Sequence, residues 1–240
     1  MPLLVVEHLC KSFGAVKVAD DFSFSLDEGE TLGIIGPNGA GKTSIFNLLS
    51  GNLRPASGHI YFRDKDITHT SSPQRCRAGM GRTYQIPQPF SMMTVLENCL
   101  VSSTFGSGKS ERQSYDQCAT VLKRTGLLKK ANVLAGSLTL LDRKALELAR
   151  ALCSSPKLLL LDEIAGGLTQ REAQELIAMI REIHATGTAI IWIEHIVHAL
   201  VAAVSRLIVI NFGAKAMDGD PTEVVNSAEV KRIYMGIEVE

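Results

Sequence analysis

"TLGIIGPNGAGKTSIFNLLSG", residues 31–51, decides the fold. It begins as a short apolar strand, Thr31 to Ile35, and crosses a glycine-rich turn. It then resumes as a helix with Ile45, Phe46, Leu48 and Leu49 on one apolar side, closed by Gly51. The turn Gly36-Pro37-Asn38-Gly39-Ala40-Gly41-Lys42-Thr43 fits G-x-x-x-x-G-K-[ST] in the strand-to-helix setting that the pattern requires. Glycines let the backbone curl until successive N–H groups face inward, and a helix N-terminus adds positive potential where phosphates sit. The cradle is expected to take nucleoside triphosphate, with Lys42 on the β/γ-phosphates, the Thr43 hydroxyl on Mg²⁺ and Ser44 in the same binding run. The competing reading is an ordinary glycine turn that caps a helix.

The rest of the chain weighs against that reading. "SPKLLLLDEIAGGLT", residues 155–169, carries a four-leucine run short enough to be a strand buried on both faces of a parallel sheet. Asp162 and Glu163 stand at its C-terminal end, where open α/β sheets bind ligands. Asp162 suits the Mg²⁺ shell, and Glu163 suits polarising an attacking water. A third strand, "TAIIWIEH", residues 188–195, ends in His195, and "GRTYQIPQPF", residues 81–90, puts Gln85 after a short extended stretch. "KSFGAVKVADDFSF", residues 11–24, offers Phe13, whose ring could stack on a base or belong to the core.

Composition narrows the partners. Twenty-five basic and twenty-five acidic residues give zero formal net charge, so no global field draws nucleic acid, and none is expected as a partner. Five scattered cysteines show no C-x-x-C spacing and read as reduced, mostly buried small residues. The N-terminus lacks a basic leader followed by an apolar run, so no signal peptide is expected. The apolar stretch 189–210 is interrupted by Glu194, His195, His198 and Arg206, which a spanning helix would not bury. No tandem repeat or linker is visible, so a second domain is expected to be inserted rather than appended.

With these residues in hand, the chain resembles the ATP-binding subunit of ABC transporters over essentially its whole length. The resemblance makes Phe13 the adenine-stacking residue, 36–43 Walker A, Gln85 the Q-loop, Asp162 and Glu163 Walker B with the catalytic base, and His195 the switch histidine. Gln85 would also reach the metal. More narrowly, "GRTYQIPQPFSMMTVLEN", "LDEIAGGLT" and "INFGAKAMDGDPTEVV" look like the subunits that energise uptake of branched-chain amino acids and related small solutes. The implied fold is α/β: a RecA-like P-loop NTPase core with an N-terminal antiparallel β subdomain (1–86 and 156–240) and an inserted helical subdomain (87–155). The helical signals in "TVLENCLVSS" and "ERQSYDQCATVLKRTG" agree independently.

The resemblance further implies a head-to-tail dimer with a second ATPase chain at the cytoplasmic face of the membrane. Permease subunits would dock between Gln85 and Met93, where Ile86, Phe90, Met92 and Met93 form an apolar cluster or else pack the helical subdomain. Alternatives are a soluble ATPase of the same superfamily and a catalytically idle regulatory subunit. One stretch departs from the family. In "GSLTLLDRKALELARAL", residues 136–152, the L-S-G-G-Q signature is replaced by Leu138, Thr139, Leu140, Leu141 and Asp142. Leu138 and Thr139 are expected to meet nucleotide there, and Asp142 is expected to face a phosphate unless it turns back to cap its own helix.

Overall fold

The computed structural model describes residues 2–195 and 197–235. The elements begin with β1 (Pro2–Phe13), β2 (Val16–Asp27), β3 (Thr31–Ile35), α1 (Lys42–Leu49), β4 (Ser57–Phe62) and β5 (Lys65–Asp66). Next come α2 (Ser72–Ala78), β6 (Met80–Arg82), α3 (Val95–Ser107), α4 (Glu111–Arg124), α5 (Leu140–Cys153), β7 (Leu158–Asp162) and α6 (Gln170–His184). Then follow β8 (Ala189–Ile193), α7 (Val197–Val201), β9 (Arg206–Asn211), β10 (Ala214–Gly219), α8 (Pro221–Asn226) and α9 (Ala228–Met235). The chain forms two compact units, residues 1–72 with 189–240 and residues 73–188.

In the first unit an antiparallel sheet runs β2-β1-β4-β5. Alternate residues of its long strands, Leu4 and Val6 on β1 and Phe22, Phe24 and Leu26 on β2, are buried, as a half-solvated antiparallel sheet requires. The same unit holds β10-β9-β3-β8, in which β3 runs parallel to both β8 and β9. All five residues of β3 and of β8 are buried, so these strands read as continuous apolar runs rather than alternations. Behind the glycine turn, α1 buries Ile45, Phe46, Leu48 and Leu49, the face its spacing predicts.

The second unit pairs β6 with β7 in parallel, Gly81 opposite Leu159, and is otherwise helical. Its helices start where short polar residues can cap them. Thr94 with Glu97, Ser110 with Gln113, and Thr169 with Glu172 form three reciprocal capping boxes. The core of α3, α4 and α5 is closed by leucines, Val95, Val121 and the thiols of Cys99, Cys118 and Cys153. The buried Asn98 side chain donates to the Phe90 and Thr94 carbonyls and accepts from the Phe90 amide, so the segment after Gln85 is fastened to α3.

Candidate functional site

The phosphate loop is built by close backbone approach. A Cβ at Gly41, whose φ is +106°, would sit 2.3 Å from the Val18 carbonyl oxygen, and one at Gly36 would sit 2.2 Å from that of Ile210. Only glycine fits either place, and the turn curls tightly between β2 and β9 as a result. Gly41 is also the N-cap of α1, which has no side-chain cap and no acidic residue in its first turn. Its positive end is therefore suited to an anion. Lys42 is buried and folds back along the turn, its Nζ donating to the Gly36 carbonyl at 2.7 Å and the Pro37 carbonyl at 3.0 Å. Thr43 and Ser44 follow in the first turn of α1.

The register carries His195 to the same unit's loop. Ile34 on β3 pairs with Ile193 on β8, so Glu194 and His195 leave β8 at the level where β3 enters the glycine turn. Glu194 is fully buried, accepts from the Trp192 indole at 3.4 Å and lies 3.9 Å from His195 Nδ1. A buried carboxylate thus stands behind the half-exposed imidazole and can orient it. Phe13 ends β1 opposite Val16 and is 53% exposed, with Lys11 Nζ 5.6 Å from its ring centre, the exposure a stacking ring needs and a core ring lacks.

In the second unit β7 is buried throughout and delivers the two carboxylates. Asp162 Oδ2 accepts from Arg82 Nη2 at 3.1 Å, and the Arg82 guanidinium lies 4.9 Å from the Tyr84 ring centre. Glu163 has φ +44°, a left-handed conformation uncommon for any side-chain-bearing residue, and such outliers gather at functional sites. Its Oε2 accepts from Gln85 Nε2 at 2.7 Å. Two side chains of α5 hold the Gln85 segment: Lys144 Nζ donates to the Gln85 carbonyl at 3.3 Å, and Arg150 Nη1 to the Gln88 carbonyl at 2.8 Å.

The signature stretch corrects the reading of Asp142. Thr139 caps α5, accepting from the Asp142 amide at 3.2 Å and donating its hydroxyl to Asp142 Oδ2 at 2.8 Å. Lys130 Nζ meets the same oxygen at 2.5 Å. The carboxylate faces its own helix start and a cation, because both attract it there more than solvent does. Leu138 is buried in the helical core, so what residue 138 can offer a ligand is backbone; Thr139 and Leu140 are exposed beside it.

Of the apolar cluster, Ile86 (72%) and Met92 (87%) are strongly exposed and Phe90 is half-exposed, so these side chains do not serve as core. Tyr84, Phe90 and Phe105 line a groove of about 330 Å³ together with Arg82 and Arg150, the latter 5.2 Å from the Phe90 ring centre. Burial raises the Glu147 carboxyl above its usual range at the groove's edge, with the neighbouring Arg150 opposing the shift. Sequence reasoning missed Arg82, Lys130, Lys144 and Arg150, whose roles arise from partners far along the chain. It saw Glu194 only as an interruption of an apolar run.

A strand, a glycine turn with its lysine folded over it, and a buried apolar strand ending in paired carboxylates define a P-loop nucleoside triphosphatase of α/β fold. The chain belongs to the ABC transporter family, whose model matches residues 19–166. It is an ATP-binding cassette, of the ATPase class that energises transport. It is 36% identical over 250 aligned residues to the high-affinity branched-chain amino acid transport ATP-binding protein LivG of Salmonella typhimurium, covering 98% of each chain. To the corresponding protein BraF of Pseudomonas aeruginosa it is 32% identical, again over 98% of each. A crystal structure of the ADP conformation of an ATP-binding cassette of an ABC transporter superposes with a TM-score of 0.89, at 30% identity, over 99% of this chain and 100% of that one.

Proposed function

We propose that the chain hydrolyses MgATP to energise import of branched-chain amino acids or related small solutes through separate membrane subunits. The reading of the solute rests on the relatives named above, because no solute-contacting residue belongs to a nucleotide-binding chain. The observation that carries the hydrolytic role is Glu163, held in a left-handed backbone conformation directly after a buried strand and hydrogen-bonded by Gln85.

In this reading Gly36, Pro37, Asn38, Gly39, Ala40, Gly41, Lys42, Thr43 and Ser44 bind the phosphates, and Phe13 stacks on the adenine. Thr43, Gln85 and Asp162 supply oxygen donors, the chemistry Mg²⁺ takes, and the ion when bound neutralises charge between the phosphates. Glu163 accepts a proton from the attacking water, Gln85 holds its carboxylate, and His195 contacts the γ-phosphate. Residues 87–155, whose elements are α3, α4 and α5, form the helical subdomain. Leu138 and Thr139 present backbone and hydroxyl to the nucleotide of a second ATPase chain in a head-to-tail dimer.

The groove of Tyr84, Phe90 and Phe105, together with the exposed Ile86 and Met92 and the half-buried Met93, takes a segment of the permease subunits. Among the described residues no helix is long and apolar enough to cross a membrane, so attachment to the cytoplasmic face runs through those subunits in this reading. Glu163→Gln tests the assignment: it should retain binding of a fluorescent ATP analogue while hydrolysis falls by ~10²-fold or more, the span of a general base. Turnover at the parental rate would place the base elsewhere.

A further inference from the structure

Arg82 touches the carboxylate that the ATPase reading gives to the metal, and that reading assigns it no task. The end of β6 runs beside the end of β7, with Arg82 opposite Leu160 and the Thr83 amide donating to the Leu160 carbonyl at 2.9 Å. The buried Thr83 hydroxyl then accepts from the Asp162 amide at 3.3 Å, so the backbone that carries the carboxylate is fastened. Arg82 fastens the side chain. Its Nη2 donates to Asp162 Oδ2 at 3.1 Å, and the two side chains are only 8% and 4% exposed. A buried ion pair adds little net stability, because the loss of hydration of both ions offsets their attraction, so stability is a poor reason to place an arginine here. The guanidinium is itself held, its centre 4.9 Å from the Tyr84 ring centre. A planar cation stacked on a ring can aim its edge at one carboxylate oxygen, which an ammonium on a flexible stem does less well.

We propose that Arg82 is a positioning residue for the metal site: by holding Oδ2 it fixes the Asp162 carboxylate in one orientation, and so raises the affinity for Mg²⁺ at the bound nucleotide. The inference rests on the reading of Asp162 as part of the Mg²⁺ shell. Hydrogen-bond partners that stand behind a ligating group set metal affinity by about 10- to 100-fold, and a loss in that range is expected when Arg82 is removed.

The experiment uses the full chain with ADP, and Mn²⁺ as the probe, free Mn²⁺ being read from its electron paramagnetic resonance signal so that no turnover is needed. Asp162→Asn sets the scale, because it removes the charged ligand. Arg82→Gln should weaken Mn²⁺ retention by about 10- to 100-fold while ADP affinity in the absence of metal stays close to the parent's. Added to Asp162→Asn, the same change should cost less than about twofold more, since the arginine acts only through that carboxylate. Arg82→Lys keeps the cation and loses the planar stack; it should lose about threefold or more, and it carries the same cycle if the glutamine variant does not fold. Parental Mn²⁺ affinity in the folded Arg82 variant would overturn the proposal, as would an undiminished loss when it is combined with Asp162→Asn, which would mark a general effect on the fold. Mn²⁺ affinity unchanged in Asp162→Asn would instead remove the metal-site reading on which the inference stands.

Discussion

Lys42 illustrates how one residue can be costly to the fold and necessary to the site. A lysine Nζ on a residue that is 6% exposed has lost most of its hydration, and it donates instead to two carbonyls of its own turn. Phosphate oxygens are stronger acceptors than peptide carbonyls, so nucleotide should capture it. Lys42→Ala should therefore weaken binding of a fluorescent ATP analogue by tenfold or more, the scale of a charge-assisted hydrogen bond of ~1.5–3 kcal/mol. Unchanged affinity in a titration would contradict the phosphate-loop assignment. Phe13 acts differently. Stacking binds ground and transition states alike, so Phe13→Ala should raise the Michaelis constant for ATP by an amount near ~1 kcal/mol with little loss of turnover. Equal sensitivity to ATP and to free inorganic triphosphate in steady-state assays would show that the ring does not meet the base.

At the scale of the element, α5 joins three tasks: its start carries the altered signature, Lys144 and Arg150 grip residues 85–88, and its inner face closes the helical core. Thr139→Val should lower stability by ~1 kcal/mol through loss of the N-cap, seen as a shift in the denaturation midpoint at constant slope. Phe90→Asp should abolish co-purification with the permease subunits while circular dichroism stays native, because the ring is half-exposed beside Arg150 rather than in the core. Loss of folded protein would restore the packing alternative. These elements were largely legible in the sequence. The strand, turn and helix of 31–51, the buried run before Asp162 and the capped helices each follow from period, glycine position or a Ser/Thr-x-x-Glu/Gln spacing. What was not legible depends on pairs distant in sequence: Lys130 on Asp142 and Arg82 on Asp162. No local pattern reports that a lysine twelve residues upstream will neutralise an aspartate, so the orientation of Asp142 could be stated only as two alternatives.

For the whole molecule, the altered signature should make the two nucleotide sites of an assembled dimer unequal. One carboxylate about 6 Å from a phosphate charge would oppose it by roughly 3 kcal/mol at an effective dielectric near 20. Here Lys130 stands 2.5 Å from that carboxylate and Thr139 caps the same turn, so most of this repulsion is cancelled within the chain. The handicap that remains is steric: side chains at Leu140 and Leu141 occupy the space glycines would leave for a γ-phosphate against the first-turn amides of α5. Paired with a chain bearing a glycine signature, this chain's Walker A and Glu163 should form the hydrolytic site, and the site closed by its own residues 138–142 should bind ATP and turn it over slowly. Two of these chains together would carry the substitution at both sites and hydrolyse feebly. The test is single-turnover hydrolysis in the reconstituted complex, comparing Glu163→Gln here with the matching change in the partner; equal losses would show two equivalent sites. Within the weak site, Asp142→Gln alone should change the rate by less than about threefold, because its charge is already compensated. Leu140→Gly with Leu141→Gly should raise the rate by more, despite the ~1 kcal/mol that each glycine costs a helix. A large gain from Asp142→Gln and none from the glycines would make charge, not shape, the reason for the asymmetry.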